Sequence, residues 1–302
     1  MKSTRMLTAR LSMFLGASFM GGVGLFLTFL TKGLGMTVYG AVEFRGLFGI
    51  IWVSIILALT GKSKVVKDLL EHKGLVLAIT VPNVMTIFFY FLTINTAGLA
   101  IAAFLLYLGN LIAVIFMRVF LKEAMPRITY IAYVLAVVGV LVMEPWGDSS
   151  LTWGIITGIC SAIMLGFLNL SKKKLFIANA RVAMHEPLLV TDISLGLTWY
   201  TTLGLAAGFC FSWFFDGTIM ITWNALLTAT FLGLIPTALA FSLFNYGYQA
   251  DKGGNVLIIS YAEPVVAAIF QVIFFGGVPI VVILGGACII VGNIITLKTH
   301  IR

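Results

Sequence analysis

The sequence predicts an all-α integral membrane protein, with ten transmembrane helices in two inverted five-helix repeats and both termini cytoplasmic. Three observations lead there. The 302-residue chain is 61% hydrophobic and only 10% charged, with a mean hydropathy of +1.10, whereas a soluble domain carries about 25% charged residues. Ten apolar stretches approach or exceed the ~20 residues that a helix needs to cross the hydrocarbon core. Finally, the basic residues fall almost wholly on one side of such a topology.

The stretches run over residues 11–31, 37–59, 75–95, 99–121, 128–146, 152–171, 187–213, 223–246, 255–275 and 280–297. Lys2, Arg5 and Arg10 precede the first, as in a secretory signal. It is read as a retained helix, because of its length and because no small-x-small cleavage site follows it before the second stretch. The polar gaps at 60–73 and 172–186 leave no room for a soluble domain. With the N-terminus cytoplasmic, every Lys and Arg except Lys32 and Arg45 lies at a cytoplasmic end, and the outer connections hold Asp148 and Asp216. That is the positive-inside asymmetry. It explains the net charge of +8 without a nucleic-acid partner, and places the chain as a multi-pass protein of the cell (inner or plasma) membrane. Cys160, Cys210 and Cys288 all fall within spans, without metal or redox spacing.

The chain also repeats itself at a spacing of 154, seen in Tyr107 and Tyr261. Residues 107–120, YLGNLIAVIFMRVF, lie over 261–274, YAEPVVAAIFQVIF. Phe116 meets Phe270, Phe120 meets Phe274, and Pro82 meets Pro236. After a one-residue slip Pro126 meets Pro279, and residues 137–139 meet 290–292. The halves are therefore 1–146 and 147–302. Five spans is an odd number, so the second half enters the membrane with the opposite orientation. Two such halves can exchange conformations around one central site.

The stretch 90–126, YFLTINTAGLAIAAFLLYLGNLIAVIFMRVFLKEAMP, joins a small-residue turn to an aliphatic helix ending in Leu121-Lys122-Glu123. It resembles the fourth-helix region of EamA-type drug/metabolite transporters. Residues 257–295 resemble the matching helix pair of that family's second half. VEFRGLFG, residues 42–49, resembles its second helix, where an Arg followed by small and aliphatic residues is usual. The resemblance covers nearly the whole chain. It implies secondary active transport of a small organic metabolite (an amino acid, amine or drug-like solute) by alternating access, as an exporter or proton/solute exchanger. A facilitative channel or uniporter is the alternative. The chain departs from the family pattern at Asn110, where proline is frequent, and at Gly277, where glutamate is frequent.

Charges cost about 2.5–3.5 kcal/mol at the bilayer centre, so polar residues inside the spans are the candidate site. Glu263 stands about eight residues into the ninth span, roughly 12 Å deep at 1.5 Å per residue. Pro264 after it lacks an N–H and displaces the carbonyl of Ser260, which predicts a bend and a free acceptor beside a carboxylate. Glu263 is the first candidate to contact a cationic or zwitterionic solute. Burial disfavours the charged form of a carboxylate, so Glu263 is also the candidate carrier of a coupling proton. The matching point of the first half, Gly109-Asn110, is expected to be irregular as well.

Glu43 and Arg45 point about 200° apart on a helix, so they are not one local ion pair. Arg45 needs a partner on another helix or on the solute, and Glu43 is a further candidate contact. Asn83, Thr86 and Tyr90 share a face of the third span, Tyr107 and Asn110 one of the fourth, and Asn245 and Tyr248 one of the eighth. Such a mixed amide and aromatic lining suits an amphipathic metabolite. Pro82, Pro236, Pro264 and Gly109 are the expected hinges. Asp192, Glu144 and Glu186 lie near span ends, where they are simply solvated or line a vestibule.

Other chemistry finds little support. HEPLL, residues 185–189, lacks the second His of a zinc-protease motif. No Gly-rich phosphate loop, nucleophile–base pair or metal-ligand set is visible, so neither cofactor nor metal nor enzymatic activity is expected. Small-residue pairs at Gly154/Gly158 and Gly204/Gly208 predict close helix packing.

Overall fold

The computed structural model describes the backbone of residues 2–122, 127, 129–143, 149–182, 190–210, 222–244 and 259–300. Every regular element among them is helical. The first apolar stretch forms α1 (Lys2–Gly21) and α2 (Val23–Thr28), separated at Gly22 and closed by a π turn over Phe29–Gly33. α3 spans Val38–Leu59. Thr37 caps it, its hydroxyl accepting from Gly40 N at 3.1 Å and satisfying one of the free N–H groups of the first turn.

A short α4 (Lys64–Asp68) and a 3-10 turn (Leu69–His72) lead into α5, Lys73–Ala97. α6 (Leu99–Leu121) starts after a single residue. That residue is Gly98 at φ +89°, a conformation open to glycine but strained for other side chains. Gln271 completes the junction from another helix, its Oε1 accepting from Leu99 N at 3.0 Å. The remaining helices are α7 (Thr129–Met143), α8 (Ser149–Val182), α9 (Val190–Phe209), α10 (Trp223–Gly233), α11 (Ala262–Phe275) and α12 (Ile280–His300). α10 continues through a π segment, Leu234–Leu239, as far as Phe244.

Among the described residues, six helical segments are long and apolar enough to cross a membrane: Arg10–Gly33, Val38–Leu59, Lys64–Ala97, Leu99–Leu121, Leu151–Leu175 and Trp223–Phe244. Tyr130–Met143, Ala262–Phe275 and Ile280–Ile295 are shorter apolar helices. The sixth stretch was expected to end at 171, but α8 runs on to Val182 and carries Lys172–Lys174 in helix. No Gly or Pro interrupts residues 167–182, and a helix need not stop where its apolar run stops. The ninth stretch differs more: Ile259 is helical, Ser260 and Tyr261 form a turn, and α11 begins only at Ala262.

The outer surface is apolar, with Leu59, Ile273 and Ile280 largely exposed, as lipid contact requires. Trp153 and Trp223, both exposed, stand at helix starts, where amphipathic rings favour the interface. Inside, first-half helices pack on second-half helices: α5 along α8, α3 along α9, α7 along α12, and α6 against both α8 and α11. Small residues permit this. A Cβ added at Gly139 would lie 2.5 Å from Gly285 O. Gly154 seats on Thr96 and Ala97, Gly158 on Leu105, and Gly204 on Thr80 and Val84, the close-approach role expected of the two glycine pairs. Hydroxyls tie α5 to α8: Thr93 and Thr157 are 2.9 Å apart, and Ser161 Oγ donates to Thr86 O at 2.9 Å.

Candidate functional site

The site begins with a helix enclosed on all sides. In α3, Gly40 to Gly46 are all buried, so both Glu43 and Arg45 are interior, at 4% and 5% exposure. The chain reaches this by using glycine where neighbours press. A Cβ at Gly46 would lie 2.7 Å from Leu205 Cβ in α9, and one at Gly233 would lie 2.6 Å from Phe48 C. α9 and α10 therefore close onto α3 at the level of Arg45. Neither charge faces outward.

Arg45 finds its partner on another helix, as its isolation on α3 required. Its Nε donates to Thr237 Oγ1 at 3.2 Å, and its guanidinium carbon lies 5.4 Å from the centre of the Phe91 ring. Thr237 belongs to the π segment that contains Pro236. Pro236 has no N–H to offer Leu232 O, the carbonyl four residues earlier. The Thr237 hydroxyl donates to that oxygen at 2.9 Å, and its lone pairs receive Arg45.

The same arrangement recurs at Pro264. The acceptor it frees is Ser260 O, and the Tyr107 hydroxyl on α6 lies 2.7 Å from it. That hydroxyl is also 2.9 Å from Glu263 Oε2. Glu263, 7% exposed, stands in the first turn of α11, where Pro264 is well accommodated. Pro264 thus starts a helix after an interruption; it does not kink a continuous one. A Cβ at Gly21 would lie 2.7 Å from Glu263 O, so the break after α1 lets the first span close on this turn. Tyr107 and its repeat mate Tyr261 meet at the centre, with ring centroids 4.9 Å apart and planes at 53°.

Arg45, Tyr90 and Glu263 lie within Coulombic range of one another. Among the described residues, the buried Tyr90 hydroxyl has no hydrogen-bond partner. The structure therefore brings together Arg45, Tyr90, Tyr107 and Glu263, drawn from α3, α5, α6 and α11. Asn83 is buried on the same face of α5 but two turns from Tyr90. Asn110 turns to α8, its Oδ1 accepting from Asn169 Nδ2 at 3.2 Å, and lies beside Tyr261.

The expected irregularity at Gly109-Asn110 is absent, since α6 runs unbroken through both residues. Gly109 is explained by packing: a Cβ there would lie 2.7 Å from Ala162 O. α5 is likewise continuous through Pro82. Asn245, Tyr248, Glu144, Glu186, residues 185–189 and the side chain of Asp192 lie outside the described residues.

Three site residues escaped the sequence reading as candidates, Thr237, Tyr261 and Asn293, whereas Ser260 was expected as the acceptor beside Glu263. Asn293 of α12 is buried and donates to Tyr107 O at 3.1 Å and to Ile289 O at 3.0 Å, holding the Tyr107 backbone. The repeat could have found two of them. At the spacing of 154, Thr237 is the mate of Asn83 and Tyr261 the mate of Tyr107.

Comparison with known proteins agrees with this architecture. An uncharacterized transporter of Archaeoglobus fulgidus is 31% identical over 223 residues, covering 72% of this chain and 74% of its own. A protein of known crystal structure superposes over 100% of this chain and 98% of its own, with a TM-score of 0.62 at 18% identity, a likeness of fold. Residues 7–144 and 152–298 each match the EamA-like transporter family. With two copies of that unit spanning nearly its whole length, the chain belongs to the EamA-like transporter family of the drug/metabolite superfamily.

Proposed function

We propose that this chain is a secondary active transporter that moves a small organic solute across the cell membrane by alternating access. The buried cluster of Arg45, Tyr90, Tyr107 and Glu263 is its central site. The observation that carries this reading is the helix break at Ser260-Tyr261, which presents a carboxylate at the meeting point of two repeats. Interrupted helices at a repeat interface are where transporters hold their cargo. In this reading the chain has ten spans, with halves 1–146 and 147–302 inverted relative to each other and both termini cytoplasmic. Pro82, Pro236 and Pro264 mark where the helices flex. The cluster is nearly closed to solvent, so solute exchange requires the halves to move apart.

A coupling proton is the second element of the proposal, and its carrier is Glu263. Tyr107 has one hydroxyl proton and two oxygen neighbours, Ser260 O and Glu263 Oε2. Ser260 O can only accept. With Glu263 ionised, the tyrosine proton goes to its carboxylate in a charge-assisted hydrogen bond; with Glu263 protonated, the carboxyl can donate to the Tyr107 oxygen while the tyrosine proton turns to Ser260 O. The protonation state of Glu263 would thus decide which acceptor the Tyr107 proton serves at the α6–α11 contact. This supports exchange of a proton for solute, with export as the natural direction where the proton gradient points inward.

The test is trans-stimulated exchange in proteoliposomes. A carrier accelerates efflux of labelled solute when unlabelled solute waits on the other side, whereas a channel does not. Glu263→Gln should abolish the pH dependence of exchange while the protein remains folded. Wild-type pH dependence in that variant would remove Glu263 from the mechanism.

A further inference from the structure

We propose that Arg45 and Tyr90 form a carboxylate-binding subsite, so that the transported solute carries a carboxylate beside an apolar body. This rests on the transport reading above and names the substrate class of the same site. The argument starts from unused hydrogen-bonding capacity. A guanidinium offers five N–H donors in a planar fork. Arg45 engages Nε with Thr237 and lays its flat face toward Phe91. Among the described residues its terminal nitrogens have no hydrogen-bond partner. Tyr90, within Coulombic range of it, buries a hydroxyl that no group among the described residues satisfies, although Tyr90 is only 4% exposed. Buried polar groups are normally paired, so two neighbouring side chains with idle donors indicate a missing acceptor.

Charge and shape narrow that acceptor. The fork of an arginine matches the two oxygens of a carboxylate bidentately, and Tyr90, whose ring centroid lies 6.4 Å from that of Phe91 beneath the Arg45 guanidinium, offers a further donor. A phosphate dianion fits poorly, because a single guanidinium faces it with the Glu263 carboxyl also in Coulombic range. An ammonium is disfavoured beside Arg45 by like charge. The rings of Phe91, Tyr107 and Tyr261 frame the cluster and give an apolar body something to pack against.

The test uses the full-length protein in detergent and in proteoliposomes. The probes are acetate, isovalerate, benzoate and L-leucine, each with its amide, together with isoamylamine. The acids with an apolar body should raise the melting temperature, and the amides and the amine should not. Tyr90→Phe should weaken acid binding about ten- to hundredfold, the value of one hydrogen bond to a charged group. Its unliganded melting temperature should stay at or above the wild-type value, since among the described residues the hydroxyl has no partner to lose. Arg45→Lys keeps the charge but loses the fork, and should weaken binding further. Amides or amine binding as tightly as the acids, Tyr90→Phe binding them like wild type, or no acid binding at all would each overturn the subsite. Counterflow separates the two readings. Acids that bind but never exchange overturn the transport reading and leave the subsite standing. Exchange of amides or amine without the acids overturns the subsite and leaves transport standing.

Discussion

Gly46→Ala is the sharpest test of how the site is held together, because it adds one methyl group where two helices touch. The new Cβ would lie 2.7 Å from Leu205 Cβ and 2.8 Å from Leu205 C, and it would also meet Ala206 N. Two of these three atoms are backbone, so no side-chain rotation relieves the contact, and α9 must move away from α3. Overpacking of this kind costs about 1–3 kcal/mol. Alanine's advantage over glycine within a helix returns about 0.5–1 kcal/mol. The net expectation is a loss of about 1–2 kcal/mol, together with reduced transport because Arg45 is the adjacent residue. Gly74→Ala is the control: it lies in α5 with nothing within 4 Å of the added atom, so it should gain a few tenths to about 1 kcal/mol. Thermal unfolding in detergent, followed by tryptophan fluorescence, reads both. A Gly46→Ala protein melting at or above wild type would refute the argument, as would a Gly74→Ala protein destabilised equally.

Three further outcomes follow from named contacts. Tyr107→Phe leaves Ser260 O with only the Glu263 N–H and removes the neighbour of Glu263 Oε2. Denaturant unfolding should register a loss of about 1–3 kcal/mol, and initial-rate transport should fall. Thr237→Ser keeps the hydroxyl that bridges Leu232 O and Arg45, whereas Thr237→Val removes it. Melting temperature and transport rate should both stay near wild type in the first and drop in the second, and equal behaviour would deny the bridge a role. Asn110→Ala and Asn169→Ala should show a coupling energy of about 0.5–1.5 kcal/mol in a double-mutant stability cycle, while additive losses would mean that the 3.2 Å contact contributes nothing.

Much of this was legible in residue types, and the rest depended on neighbours that a sequence does not name. Hydropathy alone located the helices, since α3 and α6 begin and end within a residue of their predicted limits. Charge in an apolar run pointed to Arg45 and Glu263, and both are interior. The start of α11 was not legible, because residues 255–262 are largely apolar and a proline reads alike in a first turn and at a kink. Gly109 was misread for a related reason. Glycine marks both helix breaks and helix contacts, and only the position of α8 against α6 decides between them. Thr237 escaped because threonines in spans commonly bond their own helix backbone, as Thr86 does to Pro82 O and Thr93 to Phe89 O. Asn110 was placed correctly on the Tyr107 face, but its partner on α8 could not be read from spacing along α6.

The two prolines of the second half leave a more general consequence. Each denies a carbonyl the N–H four residues on, and in both cases a hydroxyl in or beside the proposed site reaches that oxygen: Thr237 for Leu232 O, and Tyr107, together with the Glu263 N–H, for Ser260 O. Recognition and bending therefore draw on the same two protons. A solute that recruits either hydroxyl takes it away from the backbone at a bend, so an occupied site and a straight resting helix compete for one donor. On the proposed mechanism, mutations at the site should not separate cleanly into those that alter affinity and those that alter turnover, since the atoms proposed to read the cargo also hold the bends.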